Sequence, residues 1–232
     1  MLEIKNVVKK YGNKIGSDHI TFNVADGEIF GFIGPNGAGK TTLIKAISGI
    51  HKFDEGDIIL DGISIKDDPI AYKKMIAYIP DNPDIYPNIK GIDYLNFIAD
   101  IFKVDEKAIK ERISRYAKLF EIENDLDNII SAYSHGMKQK LVIISALIHQ
   151  PKLLILDEPF VGLDPKSTKN LKDLMRELTK NKTIIFFSSH VLEVVEKLCD
   201  QVGIINNGKL IELKDKDLLD KSLEDYFMEK TK

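Results

Sequence analysis

The stretch of sequence that decides the fold reads Gly34-Pro35-Asn36-Gly37-Ala38-Gly39-Lys40-Thr41, with Thr42 directly after it. A glycine, four residues and then Gly-Lys-Thr is the pattern of a phosphate-binding loop, which lies between a strand and a helix. The segment before it, Glu28 to Ile33, is almost continuously apolar, and Thr42 to Ser48 is predicted to be helical, with Gly49 as its stop. The stretch therefore predicts a nucleotide-binding site.

The residue types of this loop suit the chemistry of phosphate. Glycines let the backbone curl so that its amides point at phosphate oxygens, and the following helix N-terminus adds attraction. Lys40 supplies a positive charge for the terminal phosphates, and Thr41 supplies a hydroxyl ligand for Mg²⁺. We therefore expect the nucleotide to contact Gly34, Pro35, Asn36, Gly37, Ala38, Gly39, Lys40, Thr41 and Thr42.

A second motif, Lys152 to Glu158, is an apolar strand that ends in two carboxylates. Parallel sheets bind ligands at the carboxyl ends of their strands. Asp157 is predicted to hold Mg²⁺ together with Thr41, and Glu158 to orient and deprotonate the attacking water. Taken alone, the pair fits a solvated strand end equally well, and the phosphate loop favours the metal site.

Two kinds of strand are predicted. Ile20, Phe22 and Val24 alternate with polar residues, as in a half-exposed antiparallel sheet, whereas Leu153 to Leu156 and Thr183 to Phe187 are continuously apolar, as in a buried parallel sheet. Asn206-Asn207-Gly208 carries the asparagine-glycine signal of a tight hairpin between two apolar runs, Val202 to Ile205 and Leu210 to Leu213.

The middle of the chain is predicted to be helical, because neither glycine nor proline occurs between Ile92 and His135. Lys107 to Phe120, with Asp105 at its acidic start, places Ile109, Ile113, Tyr116, Ala117 and Phe120 on one helix face. A second helix is predicted from Gly136 to His149, closed by Pro151. We interpret residues 85–150 as a helical subdomain inserted between two parts of an α/β core, residues 1–84 and 151–232.

The composition is that of a soluble globular protein: 232 residues, a net charge of −3, 44% hydrophobic and 30% charged residues. No segment approaches the roughly 18 apolar residues of a membrane-spanning helix, and Met1 to Lys10 lacks the apolar centre of a signal peptide. Cys199 is the single cysteine, so no internal disulfide forms. We expect a cytosolic protein, and the spread charges give no indication of a nucleic-acid partner.

Tyr133-Ser134-His135-Gly136-Met137-Lys138-Gln139 resembles the Leu-Ser-Gly-Gly-Gln signature of ABC-type ATPases. The phosphate loop, this signature, the carboxylate pair, Gly162-Leu163-Asp164-Pro165 and His190 follow one another in the order typical of that family. The ordered set resembles an ABC nucleotide-binding domain over nearly the whole chain. The resemblance implies an α/β fold: a P-loop NTPase core with a mostly parallel sheet, an antiparallel β layer and an inserted helical subdomain.

The resemblance also implies roles for single residues. Tyr11 matches the aromatic residue that stacks on adenine, and His190 matches the switch histidine that senses the terminal phosphate. Ser134 and Gly136 match the signature positions that contact ATP held by the opposite subunit, and Asp164 matches the loop that crosses the subunit interface. Ser134 would also cap the helix that begins near Gly136. Without the family context, Tyr11 fits a surface residue and His190 a strand-end histidine.

Two positions depart from the family pattern. Asp81 follows the strand ending in Ile79-Pro80, where most members carry glutamine, so a negative charge can approach Mg²⁺ directly or through water. We expect slower hydrolysis or an altered metal dependence. His135 replaces a glycine of the signature and Met137 replaces its glutamine, and we expect the contact with the opposite phosphate to persist.

These features predict an ATPase that converts ATP and water to ADP and phosphate. The resemblance implies a second ABC ATPase subunit, either a copy or a relative, and separate polytopic membrane permease subunits that face Pro80 to Ile92, in an export-type transporter on the cytoplasmic face of the membrane. Three alternatives remain: a soluble ABC ATPase without a transport role, a DNA-repair ABC ATPase, and a small-molecule phosphoryl transferase. Too few residues separate Thr41 from Ser134 for the long coiled coil of the DNA-repair class.

Overall fold

The computed structural model describes residues 1–215 and 222–231. Residues 216–221 and 232, which belong to the predicted core segment 151–232, lie outside the described residues. The strands are β1 (Leu2–Tyr11), β2 (Lys14–Val24), β3 (Ile29–Ile33), β4 (Glu55–Leu60), β5 (Ile63–Ser64), β6 (Ile76–Ile79), β7 (Leu153–Asp157), β8 (Ile184–Ser188), β9 (Gln201–Asn206) and β10 (Lys209–Asp215). The α-helices are α1 (Lys40–Ile47), α2 (Pro69–Lys74), α3 (Gly91–Ile101), α4 (Glu106–Leu119), α5 (His135–Leu147), α6 (Pro165–Lys180), α7 (Leu192–Leu198) and α8 (Leu223–Lys230). None of these helices is long and apolar enough to cross a membrane.

A six-stranded sheet forms the centre of the molecule, in the order β10-β9-β3-β8-β7-β6. All neighbouring strands are parallel except β10, which pairs antiparallel with β9 at one edge. Every residue of β3, β7 and β8 is buried, as their continuous apolar runs predict. This strand order brings the segments that follow β3, β7 and β8 to one edge of the sheet.

The predicted antiparallel layer is a second sheet, in the order β2-β1-β4-β5. Ile20, Phe22 and Val24 of β2 are buried against the central sheet, in line with their alternation. Phe22 stacks on Phe30 of β3 with ring centroids 5.0 Å apart, and Phe30 stacks on Phe186 of β8 at 5.1 Å. These aromatic contacts fix the antiparallel sheet onto the strand that leads into the phosphate loop.

Two helices between β6 and β7, α4 and α5, begin at the capping residues that the sequence predicts. Asp105 caps α4 by accepting a hydrogen bond from the Lys107 amide at 3.0 Å, and the predicted apolar face of α4 is buried. Ser134 caps α5, since its Oγ accepts a hydrogen bond from the Met137 amide at 3.2 Å. The expected cap at Ser134 is confirmed.

The segment between α4 and α5 is not α-helical, contrary to the prediction. It contains two short 3₁₀ turns, Glu123–Asp125 and Ile130–Ala132. Glu121 has a φ of 57° and so ends α4 in the left-handed region. The following Glu-Asn-Asp-Leu-Asp-Asn is rich in side chains that compete with helical hydrogen bonds, and the Tyr133 hydroxyl donates to the Asp125 carbonyl at 2.7 Å.

The predicted hairpin between β9 and β10 is confirmed, and its turn touches the phosphate loop. Asn207 and Gly208 have φ values of 49° and 78°, which suit a tight two-residue hairpin turn. The Gly208 amide donates to the Ala38 carbonyl at 2.8 Å, and the Gly208 carbonyl accepts from the Asp18 amide at 2.8 Å. The hairpin turn thus bridges the phosphate loop and β2.

Candidate functional site

The phosphate loop runs from the end of β3 to the first turn of α1, as its sequence pattern predicts. A Cβ on Gly34 would lie 2.3 Å from the Ile205 carbonyl oxygen, and one on Gly39 would lie 2.2 Å from the Gly16 carbonyl oxygen. Gly39 also has a φ of 108°, a conformation that favours glycine. The loop is therefore pressed against β9 and β2 where no side chain fits, and the amides of the first turn of α1 have no partner within the helix.

Lys40 lies inside this loop. Its Nζ donates to the Gly34 carbonyl at 2.6 Å and to the Pro35 carbonyl at 3.2 Å. Partial burial lowers the pKa of Lys40, and the nearby carboxylates of Glu158 and Asp157 act in the opposite direction. The lysine is thus close enough to both carboxylates for their charges to affect its protonation.

A cavity of about 420 Å³ opens in front of the loop and collects most of the predicted nucleotide and metal residues. It receives side chains from β1, α1, the segment after β6 and the end of β7, which are far apart in sequence. Its lining residues are Tyr11, Lys14, Ile15, Gly16, Asn36, Gly37, Ala38, Gly39, Lys40, Thr41, Thr42, Asp81, Asp157 and Glu158.

Asp157 is buried at the end of β7, with 4% of its surface exposed. The Ser188 hydroxyl at the end of β8 donates to its carboxylate at 2.5 Å, and the same hydroxyl oxygen accepts from the Glu158 amide at 3.3 Å. Burial of a carboxylate with so few partners is costly unless a cation or further donors balance it. Ser188 was not predicted as a site residue, because its contact depends on the pairing of β7 with β8.

Glu158 and His190 contact each other directly. Glu158 has a φ of 49°, in the left-handed region, so the chain turns sharply just after β7. One of its carboxylate oxygens, Oε2, lies 2.9 Å from His190 Nδ1 and accepts from the His190 amide at 3.4 Å. The structure thereby joins His190, which does not line the cavity, to a carboxylate that does.

The donor set around Thr41 fits Mg²⁺. The described residues contain no group of three or more His, Cys, Asp or Glu side chains that would hold a metal without other ligands. A hydroxyl from Thr41 with carboxylates from Asp157 and Asp81 suits an ion that keeps waters and is also bound by phosphate oxygens. The Asp81 carboxylate accepts a hydrogen bond from the Asn82 amide at 2.9 Å and lines the cavity.

Ser134, Gly136 and Asp164 lie outside the nucleotide cavity, at the start of α5 and beside the Gly162 loop, and we call this region the second surface. A Cβ on Gly136 would lie 2.7 Å from the Gly162 carbonyl oxygen, so α5 and the Gly162 loop are in close contact. Asp164 caps α6 by accepting from the Ser167 amide at 2.8 Å, and its Oδ2 lies 2.8 Å from Lys140 Nζ. The bond with Lys140 and the hydrogen bonds from the Ser167 hydroxyl and amide hold the pKa of Asp164 well below its usual range. None of these three predicted residues lines the nucleotide cavity of its own chain.

The comparisons with known proteins agree with this geometry. The sequence profile of the family described as "ABC transporter" matches residues 17–161. Among curated relatives, the chain is 36% identical to the SkfA peptide export ATP-binding protein SkfE of Bacillus subtilis, over 91% of this chain and 88% of that protein. It is 37% identical to the bacitracin transport ATP-binding protein BcrA of Bacillus licheniformis, over 91% of this chain and 69% of that protein.

A solved structure described as an ATP-binding subunit of an ABC transporter superposes with a TM-score of 0.96 and 33% identity, and each chain is covered completely. The cbiO1 structure of Clostridium perfringens, part of the transporter complex cbiONQ, superposes with a TM-score of 0.79 and 27% identity, over 93% of this chain and 88% of that one. The expected P-loop NTPase α/β fold is confirmed. The chain therefore belongs to the ABC transporter ATP-binding family and is an ATP-binding, ATP-hydrolysing subunit of that family.

Proposed function

We propose that this chain hydrolyses ATP at a composite site shared with a second ATPase subunit, and that the cycle drives separate membrane permease subunits, in the direction of export. The observation that carries the proposal is the arrangement of two site surfaces. The phosphate loop, Asp157 and Glu158 line one cavity and His190 contacts Glu158, whereas Ser134, Gly136 and Asp164 do not line that cavity. Two subunits that face each other would bring the second surface of one onto the nucleotide of the other.

Within the nucleotide site, each residue has a defined role in the proposal. Lys40 binds the terminal phosphates, and the loop amides from Gly34 to Thr42 surround them. The Glu158 carboxylate receives a proton from the attacking water, and His190 holds that carboxylate in place through its 2.9 Å contact with Oε2. Thr41, Asp157 and Asp81 would hold Mg²⁺, which when bound neutralises phosphate charge.

On the second surface, we propose that Ser134 and Gly136 present the N-terminal amides of α5 to the terminal phosphate of the opposite subunit. Ser134 caps this helix, so its first-turn amides are ordered before ligand binds. Asp164 crosses to the other subunit in this arrangement while it stays tied to α5 through Lys140. The partner is a second copy of this chain or a related ATPase.

We propose that residues 85–150 form a helical subdomain inserted into a core made of residues 1–84 and 151–232. A cleft beside the helices of this subdomain would receive the permease. The cleft encloses about 270 Å³, and its lining is mostly apolar, with Asp84, Ser145 and His149 among its polar residues. At its side, the exposed rings of Tyr86 and Phe97 lie edge to face at 6.0 Å, and Ile101 is also exposed. Such a patch fits an apolar segment of another protein and gives no support for nucleic acid. The chain would then act at the cytoplasmic face of the membrane.

The export direction rests on relatives named for bacitracin transport and peptide export. To test the transport role, Glu158→Gln protein with Mg-ATP is used to capture partners from detergent-solubilised membranes of the source organism. We expect a polytopic membrane protein to be captured in the presence of ATP and not with Lys40→Ala protein. Capture of soluble proteins alone would instead favour an ABC ATPase without a transport role.

Replacing Asp81 with glutamine should keep or raise the rate of ATP hydrolysis. The substitution replaces a proposed carboxylate ligand of Mg²⁺ with a neutral amide oxygen, so less negative charge lies beside the phosphates and the attacking water, while a higher Mg²⁺ concentration is needed for saturation. The measurement is the ATPase rate of the purified chain as a function of Mg²⁺ concentration. Asp84→Asn, which removes a charge from the same segment outside the nucleotide cavity, is the matched control. A loss as large as that of Glu158→Gln would contradict the role given to Asp81.

A further inference from the structure

The hydroxyl of Tyr11, at the end of β1, contacts His51, a residue to which the proposed function gives no role. Tyr11 is 44% exposed and lines the nucleotide cavity. Its hydroxyl lies 3.0 Å from His51 Nδ1, and the two rings meet edge to face with centroids 6.3 Å apart. An exposed tyrosine without such a partner would sample several rotamers.

His51 is itself fixed at the end of α1. Its amide and the amide of Ile50 both donate to the Lys45 carbonyl at 3.0 Å, which closes the last turn of the helix. The same helix begins with Lys40 and Thr41 at the phosphates. Helix α1 therefore supports both ends of the cavity. Its first turn lies at the phosphate loop, and the turn that closes the helix carries His51, which contacts Tyr11.

The segment after His51 also holds the end of β1. The Asp54 amide donates to the Val8 carbonyl at 2.8 Å, and the Asp54 carboxylate accepts from the Lys10 amide at 2.6 Å and from Lys9 Nζ at 3.5 Å. Lys9 Nζ in turn lies 5.2 Å from the centroid of the Tyr11 ring, within the range of a cation–π contact. One face of the ring is thus occupied by Lys9, and the opposite face is the one that a ligand can use.

We propose that His51 is a positioning residue for the nucleotide base: it holds Tyr11 in the orientation that stacks on adenine, and Lys9 directs the base to the opposite face. The proposal adds to the proposed ATP site and rests on the adenine-stacking role that the family resemblance implies for Tyr11. A ring that is already ordered loses less conformational entropy when the base binds. The hydrogen bond between His51 and Tyr11 therefore increases the affinity for the base, although His51 does not contact the base.

The test compares binding of Mg-ADP and of Mg-pyrophosphate by calorimetry, because the second probe lacks the base and ribose. His51→Leu should weaken ADP binding about three- to tenfold, the range of one ordinary hydrogen bond, and leave pyrophosphate binding within about twofold. Tyr11→Phe removes the same hydrogen bond and keeps the ring, so it should give a similar loss. The double variant should then lose no more than either single one.

His51→Asn, which can place a polar group near the position of Nδ1, should restore most of the ADP affinity. Equal losses for ADP and pyrophosphate in His51→Leu would show a general structural defect and overturn the inference. Normal ADP binding in His51→Leu would also overturn it, and the stacking role of Tyr11 would stand if Tyr11→Ala still weakened ADP. Normal ADP binding in Tyr11→Ala would overturn both the inference and the stacking role that the resemblance implies for Tyr11.

Discussion

Replacing Glu158 with glutamine lowers the steady-state rate of ATP hydrolysis by about a hundredfold to ten-thousandfold, while ATP still binds. This is the usual range for loss of a general base, and the amide cannot take a proton from water. The glutamine retains the size of the side chain and an oxygen that can contact His190, which lies 2.9 Å from the carboxylate. We therefore expect the ATP-bound subunit pair to accumulate, and size-exclusion chromatography with Mg-ATP should detect it.

The matched control is Glu193→Gln, an exposed carboxylate on α7 that pairs with Lys197 within the same helix. It should leave both the rate and the oligomeric state unchanged. A Glu158→Gln variant that hydrolyses ATP at more than a tenth of the wild-type rate would mean that another group activates the water.

Replacing Lys40 with alanine should weaken ATP binding about ten- to a hundredfold, which is the range for one hydrogen bond to a charged group. The rate at saturating ATP should fall as well, because the lysine charge stabilises the phosphate in the transition state. In the structure its ammonium group already lies within the loop, 2.6 Å from the Gly34 carbonyl oxygen. Calorimetry with Mg²⁺ and a non-hydrolysable ATP analogue would measure the binding effect, and an ATPase assay would measure the effect on the rate.

Lys45→Ala is the control for this variant, since it removes a lysine from the last turn of the same helix. We expect it to bind nucleotide like the wild type. Unchanged binding by Lys40→Ala, or an equal loss in Lys45→Ala, would contradict the assignment of Lys40 to the phosphates.

The parts of the fold that follow from short patterns could be predicted from the sequence. Continuous apolar runs indicated β3, β7 and β8, the glycine pattern indicated the loop before Lys40, and Asn207-Gly208 indicated the hairpin. Each of these signals acts within about ten residues, so local sterics and burial are enough to specify it. The capping by Ser134 belongs to the same class.

Contacts that depend on strand order could not be predicted in this way. Glu158 and His190 are 32 positions apart, and Tyr11 and His51 are 40 apart, so each contact exists only once the sheets are assembled. The segment between α4 and α5 shows the converse error. A lack of glycine and proline permits a helix but does not require one, and the hydrogen bond from Tyr133 to the Asp125 carbonyl favours the turns instead.

The hairpin turn at Asn207-Gly208 has a practical consequence for anyone who modifies this protein. Short surface turns are common choices for inserting an epitope tag or for joining new termini, because insertion there usually disturbs little. Here the Gly208 amide is bonded to Ala38 and the Gly208 carbonyl to Asp18. An insertion at this turn would break both bonds and displace the phosphate loop, so this turn is a poor place for a tag although it is short and lies between two strands.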